Sequence, residues 1–302
     1  MSPFTLPTVP MHNPNCYLLY LTFLCCLPTT LFAQGGLLDE LESEAPPTET
    51  RIDDTFKATR IINGHSVELW HEGVMGAMIS HRFGRLTGGT YEFFGLDGAN
   101  VRLAVEYGIT DFLNVAIGRS SFQKTYDGYV KLRLLQQQSG SRTVPVTVVG
   151  FSSIAINTLR SEGQEIPFSA RLDYTFQLLI ARKLSSRFSL QLTPTLVHRN
   201  LVERQEIPND LLALGLGGRW KLSQRVSLNA EYFPRLNAET ETLYNDAFAL
   251  GVDIETGGHV FQLHLTNAQS MIEEGFITGT TGDFFSGDIH FGFNISRVFQ
   301  LK

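Results

Sequence analysis

With 302 residues the chain is long enough for one large all-β domain or two small ones. Its 24 Lys and Arg stand against 30 Asp and Glu, a net charge of −6, which argues against nucleic acid as a partner because phosphate binding needs a basic face. Aromatic residues make up 11% of the chain, 22 of them Phe, a content compatible with a membrane barrel.

Residues 1–33 contain no Asp, Glu, Lys or Arg. The apolar run from Tyr17 to Phe32 is interrupted by Pro28 and is too short for a transmembrane helix, which needs about 20 apolar residues. A secretory signal peptide over 1–33, cut after Ala33, fits better. The fit is imperfect: no positive charge precedes the run even if Met11 is the start, and Leu31 is large for the third position before the cut. A lipoprotein cut before Cys25 is disfavoured by the bulk of Leu24. Cys16, Cys25 and Cys26 all lie in this presequence, so the exported chain carries no thiol for catalysis or metal binding. Residues 34–66 read as an acidic periplasmic leader. Pro46, Pro47 and a string of carboxylates leave few apolar anchors, which predicts a short disordered segment. A plug or a partner-docking arm is the alternative.

From about Val74 the hydrophobic period becomes two. Twelve strands are predicted, over 74–82, 99–107, 112–120, 127–136, 145–157, 169–182, 187–198, 212–221, 226–235, 246–254, 258–267 and 287–299. Successive strand side chains point to opposite faces. In 212–221, Leu212, Leu214, Leu216, Gly218 and Trp220 oppose Ala213, Gly215, Gly217, Arg219 and Lys221. The Gly215–Gly218 run sits inside this alternation, which favours packing over phosphate binding. One hairpin pattern recurs at 107–115, 182–190 and 219–228: an apolar residue, Thr or Ser, two turn residues, then an apolar residue, Asn or Ser, and another apolar residue. Links alternate short and long, and an even strand number with both termini in the periplasm puts the short links there. Tyr107, Phe112, Phe188 and Trp220 lie beside the predicted short turns, where an aromatic girdle belongs. Alternation also suits a soluble sandwich. Export, turn phase and aromatic placement together favour an all-β, closed antiparallel transmembrane β-barrel over 67–302. Its outer wall is apolar and its lumen charged. The final strand, ending near Phe299, resembles the signal read by a barrel-assembly machinery and is favoured as such over a plain edge strand, although Gln300, Leu301 and Lys302 follow the aromatic.

The runs ISHRFGRL, YEFFGLDGANVRLAVEYGITD, VAIGRSSFQKTYDGYVKLRLL, LVHRNLV, GVDIETGGHVFQLHLTNAQSMIEEGFIT and TGDFFSGDIHFGFNISRVF resemble a Bacteroidota outer-membrane β-barrel family of uncharacterised function. The resemblance spans about 60–300. It implies an outer-membrane barrel in a Gram-negative cell and supplies no substrate or catalytic residue.

The polar face of the strands nominates a lumen lining: Arg102, Glu106, Lys131, Arg133, Arg171, Asp173, Arg219, Lys221, Glu231, Arg235, Asp253, His264 and His290. Charges of both signs inside a barrel either form a salt-bridged filling or line a narrow water path. His264 and His290 fall on neighbouring strands and could hold a metal or haem or shuttle protons, but lumenal hydrogen bonding is the favoured reading. The loop 268–286 carries Glu273, Glu274 and Asp283, with Asp288 just beyond; these carboxylates could take calcium, but a solvated loop is the favoured reading. Phe284 and Phe285 could fold that loop into the mouth. No nucleophile elbow, zincin motif or P-loop occurs, so no enzyme, cofactor or metal is expected. The expected activity is a narrow channel or transporter for small polar solutes. The alternative is a non-conducting barrel that anchors an envelope partner through its loops or leader. The expected surroundings are outer-membrane lipid and, during biogenesis, the assembly machinery.

Overall fold

The computed structural model describes residues 49–301 apart from 161–162, 164, 203–206 and 239–242. The expected signal peptide and the leader up to residue 48 lie outside the described residues. Among the described residues the strands are β1 (Thr50–Arg51), β2 (Val74–Arg85), β3 (Ala99–Thr110), β4 (Leu113–Ser120), β5 (Tyr126–Leu135), β6 (Gln138–Ser139), β7 (Thr147–Ile156), β8 (Leu172–Lys183), β9 (Phe188–Arg199), β10 (Asp210–Lys221), β11 (Val226–Phe233), β12 (Ala247–Thr256), β13 (His259–Thr266) and β14 (His290–Gln300), with one α-helix, α1 (Glu273–Thr278). All except β1 and β6 form a closed antiparallel barrel of twelve strands, each beside its sequence neighbour. β14 closes the wall on β2, from Val74 opposite Gln300 to Arg85 opposite His290. Closure pairs every strand edge, as backbone in hydrocarbon requires. β1 and β6 pair separately as a short ribbon.

All twelve predicted strands are present, with ends shifted by a few residues. The short links 111–112, 184–187, 222–225 and 257–258 share one end of the barrel, here the lower end, with the start of β2 and the end of β14. Gly257 and Gly258 both take positive φ, 29° and 120°, as a two-residue hairpin turn favours. The long links that follow β2, β7, β9, β11 and β13 leave from the upper end; the alternation is broken by the short link 121–125, also at the upper end, and the longer 136–146, which carries β6, at the lower. Phe112, Phe188 and Trp220 are exposed beside the lower turns.

The wall is inverted relative to a water-soluble protein. Leu103, Leu192, Leu216, Leu250 and Leu263 are exposed on its outside. Arg82, Arg102 and Lys131 are among the largest fully buried side chains. Lys and Arg are almost never buried so completely without partners, and the partners here fill the lumen.

Those partners come largely from residues 52–72, and here the chain departs from the sequence expectation. The leader was expected to run to residue 66, with the barrel starting at 67. Instead Thr55, Phe56, Thr59, Ile61, Ile62, Asn63, His65 and Val67 are all buried. The segment rises from β1, turns at Ile61–Gly64 and descends to β2. The turn is closed by Ile61 N donating to the Gly64 carbonyl at 2.9 Å and Ser66 N to the Thr59 carbonyl at 3.0 Å. It forms a plug because Phe56, Ile61, Ile62, Val67 and Leu69 meet an inward apolar patch of Ala116, Tyr129, Val149, Phe151, Leu179, Ala181 and Ala249. Removing that much apolar surface from water favours the buried segment over a solvated one. Gly217 makes the space: a Cβ there would lie 2.4 Å from Ile61 Cδ1.

Candidate functional site

The plug tip is held by one carboxylate. Glu231, on β11, accepts from the backbone N–H groups of Ile62 at 3.2 Å, Asn63 at 2.7 Å and Gly64 at 3.1 Å. Successive N–H groups turned toward one anion form a nest, and charge-assisted bonds of this kind are the strong ones. Asn63 then ties the tip to the wall. Its side-chain oxygen accepts from Arg82 Nη2 at 2.5 Å, and its amide nitrogen donates to Thr266 Oγ1 at 3.2 Å.

Other lumen residues serve plug carbonyls. Lys131 donates to the Thr59 and Glu68 carbonyls at 3.1 and 2.8 Å. Arg219 donates to the carbonyls of Asp54 and Thr55 at 3.0 and 3.1 Å. Gln262 reaches the Arg60 and Ile61 carbonyls at 3.2 and 3.0 Å and also donates to Asp253 at 3.0 Å. Arg102 forks onto Asp127, with Nε to Oδ1 at 2.9 Å. Glu106 accepts from Asn114 and from the Tyr129 hydroxyl, both at 3.2 Å. Mixed charge inside this barrel is therefore a bonded filling, and Arg102, Glu106, Lys131, Arg219, Glu231, Asp253 and His264 all belong to it.

The remaining nominated residues sit elsewhere. Arg171 is not in the lumen: it lies in a 3-10 turn before β8 and donates to the carbonyls of Asn157 and Leu159 at 3.2 and 2.8 Å, bracing an upper loop. Arg235 follows the end of β11 and pairs with Asp246 at 3.2 Å at the rim. Lys221 ends β10 half-exposed at the lower end. Arg133, near the lower end of β5, is half-buried. In the first two cases strand parity was carried past the point where the strand stops.

His264 and His290 do not share a partner. His264 packs on Arg82, while His290 Nδ1 donates to the Phe83 carbonyl at 2.9 Å. In register His264 faces Gly292 and His290 faces Thr266, which places them two positions apart. Among the described residues the acids of loop 267–289 form no cluster of three or more that could hold a metal, although Asp288 accepts from the Asp283 N–H at 3.3 Å. Asp288 pairs with Arg85 at 2.9 Å, and Asp283 accepts from Ser286 at 2.6 Å. Phe284 and Phe285 do not fold inward: they pack on Phe248 of the outer wall at 4.7 and 5.5 Å. The inward anchors are Phe276 and Ile277 of α1, buried with Val197, Leu211, Ala213, Phe233 and Ala247.

α1 therefore hangs inside the upper mouth, and two consecutive acids on it face different ways. Glu273 points down to the plug, 3.0 Å from Arg60 Nη1 and 3.3 Å from His65 Nε2. Glu274 lines a cavity of about 760 Å³ between α1 and the upper strand ends, with Asp173 of β8, Arg199 of β9, Asn267, Tyr244 and His290. Sequence reasoning missed Arg82, Asn63, His65 and Arg199. Arg82 shares parity with Ser80 on β2 and was legible by the rule that found Arg102. Asn63 and His65 were hidden by their assignment to the leader.

A closed barrel with leucines outside and arginines inside is a membrane-bound β-barrel. Consistent with that, residues 56–299 match the model of the family described as membrane bound beta barrel domain, DUF5777. The chain belongs to this family, and the matched span takes in the plug as well as the wall. Comparison with curated proteins returned no match. Among solved structures the chain is similar to the NanC porin (7% identity over 76% of this chain and 99% of that one, TM-score 0.46). It is likewise similar to the KdgM porin in complex with disordered oligogalacturonate (7%, 74% and 99%, TM-score 0.48). A third similar structure is the Acinetobacter baumannii outer membrane protein Omp33 (9%, 76% and 99%, TM-score 0.42). None of these likenesses bears on what this chain carries.

Proposed function

We propose that the chain is exported by its signal peptide, assembled into the outer membrane of a Gram-negative bacterium by the barrel-assembly machinery, and acts there as a channel or transporter for small polar solutes that is shut at rest. The lower end faces the periplasm and the upper end the exterior. The observation that carries the reading is the meeting of two separate obstructions at Glu273. The plug enters from below, α1 enters from above, and they touch through the Arg60 and His65 contacts directly beneath a polar cavity. Solute entering from above would reach this contact first. Opening then means separating two loops, with the closed wall left intact. The test is single-channel conductance in planar bilayers. The full chain is expected to conduct rarely, and a chain lacking residues 52–70 to conduct steadily. A deletion chain that folds, by its heat-dependent gel shift, and never conducts overturns the proposal.

A second reading is a non-conducting barrel that anchors an envelope partner. It is favoured by the apolar contact between plug and wall, since Val149, Phe151 and Leu179 would face water if the plug left. The same conductance experiment separates the two.

A further inference from the structure

Among the described residues, the upper cavity holds a guanidinium whose hydrogen bonds are unmade. Arg199 is 7% exposed, and its Nε and Nη2 are enclosed without a hydrogen-bond partner. The other deeply placed arginines differ. Arg102 is bonded to Asp127, Arg60 donates to the Asn63 carbonyl and lies 3.0 Å from Glu273 as an ion pair, and Arg219 donates to plug carbonyls. Two carboxylates share the cavity with Arg199. Asp173 lies directly across the strand pair from it in register, yet no ion pair within 4.0 Å joins them, and Glu274 faces the same space from α1. A buried cation without a counter-ion is costly, as is a carboxylate crowded by a like charge.

We propose that this cavity binds a small zwitterion, a free amino acid or short peptide, with Arg199 receiving its carboxylate and Asp173 with Glu274 its ammonium. A simple anion would satisfy Arg199 but be repelled by Asp173 and would leave the proton on Glu274 in place. A simple cation would be repelled by Arg199. A molecule with both charges a few ångströms apart answers both needs. A volume of about 760 Å³ lies within the range typical of small-molecule sites, roughly 300–1,000 Å³. Burial, then the charge of Asp173, pushes the Glu274 carboxyl up to about 8, a strain that a bound ammonium relieves. This inference deepens the transport reading by naming the solute class and rests on that reading for its physiological role only, because binding and conduction are measured separately.

The test is calorimetric titration of the full chain in detergent with L-alanine, L-alanyl-L-alanine, the N-acetylated dipeptide, the dipeptide amide and maltose. The zwitterions are expected to bind, with the capped forms and maltose at least about tenfold weaker. Arg199→Gln and Glu274→Gln are each expected to weaken zwitterion binding by about tenfold or more. Arg199 sits in the wall, so its variant is first checked by heat-dependent gel shift. Glu274 sits on a loop, and its variant carries the test if the other does not fold. No heat with either zwitterion, equal binding of capped forms, or unchanged binding by Glu274→Gln overturns the inference. A protein that binds but never conducts, even without its plug, removes the channel and leaves the site. One that conducts and binds nothing removes the site and leaves the channel.

Discussion

Glu231 shows how much one side chain can organise. Three backbone N–H groups of the plug tip converge on its carboxylate, and none has another acceptor at hand inside the barrel. Truncation by Glu231→Ala strands buried donors, which costs about 1–3 kcal/mol for each group left unsatisfied. The expected loss is about 3 kcal/mol, read as a lower midpoint in urea unfolding and faster hydrogen exchange at residues 61–66. Glu231→Gln keeps one acceptor oxygen and should lose less. Gly217 makes a complementary prediction by shape. Because a Cβ there would sit 2.4 Å from Ile61 Cδ1, Gly217→Val must displace the plug and should cost about 1–3 kcal/mol. Adding Ile61→Ala removes the obstructing methyl, so the double variant should be more stable than the sum of the singles requires. Strict additivity would mean that the two side chains do not meet.

At the scale of elements the molecule is a wall, a plug and a loop that can respond separately. The loop carrying α1 has a titratable hinge point. Glu274 has its carboxyl raised to about 8 by burial and by Asp173, partly offset by Arg199, with Glu273 adding further repulsion. A raised carboxyl pKa means the docked loop holds a proton that the undocked loop releases near the usual value of about 4.3. Docking is then strongest below that value and weakens as pH rises through about 8. Proteolysis within 267–289 is expected to accelerate between pH 5 and pH 9, and Glu274→Gln should flatten the profile. A flat wild-type profile would remove the carboxylate from this role. The wall was legible from sequence because period-two alternation is local: Leu212 to Lys221 alone shows which side meets lipid. The plug was not. Its acidic, Pro-containing approach looks like solvated chain, and Ile61, Ile62 and Val67 acquire meaning only beside Val149 and Leu179, about eighty to a hundred and twenty residues away. Arg171 and Arg235 show the opposite error, where a correct alternation was extended past the end of its strand.

The whole molecule depends on hydrocarbon as its outer solvent, and this makes the last prediction. Leu216 lies at the middle of the twelve-residue β10 and is 42% exposed, opposite Leu192 on β9 at 47%. In a water-soluble barrel such a position would accept Lys without loss, since an exposed leucine contributes little and a lysine is well hydrated. In a bilayer the same position lies near the midplane. There a lysine costs about 2–4 kcal/mol, with part of the charge relieved by its long stem reaching toward the headgroups. Leu216→Lys is therefore expected to destabilise the barrel by about that amount in phospholipid vesicles, measured by urea unfolding with the folded fraction read from gel mobility. The penalty should shrink for Leu212→Lys, because Leu212 lies close to the upper end of the same strand and nearer the headgroups. Swapping both residues between lipid and detergent separates the two contributions. A fault in packing would persist in either medium, whereas a cost due to the bilayer should fall in the softer, wetter micelle. If Leu216→Lys proved neutral in vesicles while the protein stayed folded, the outer wall would not be facing lipid. The buried arginines would then need another explanation.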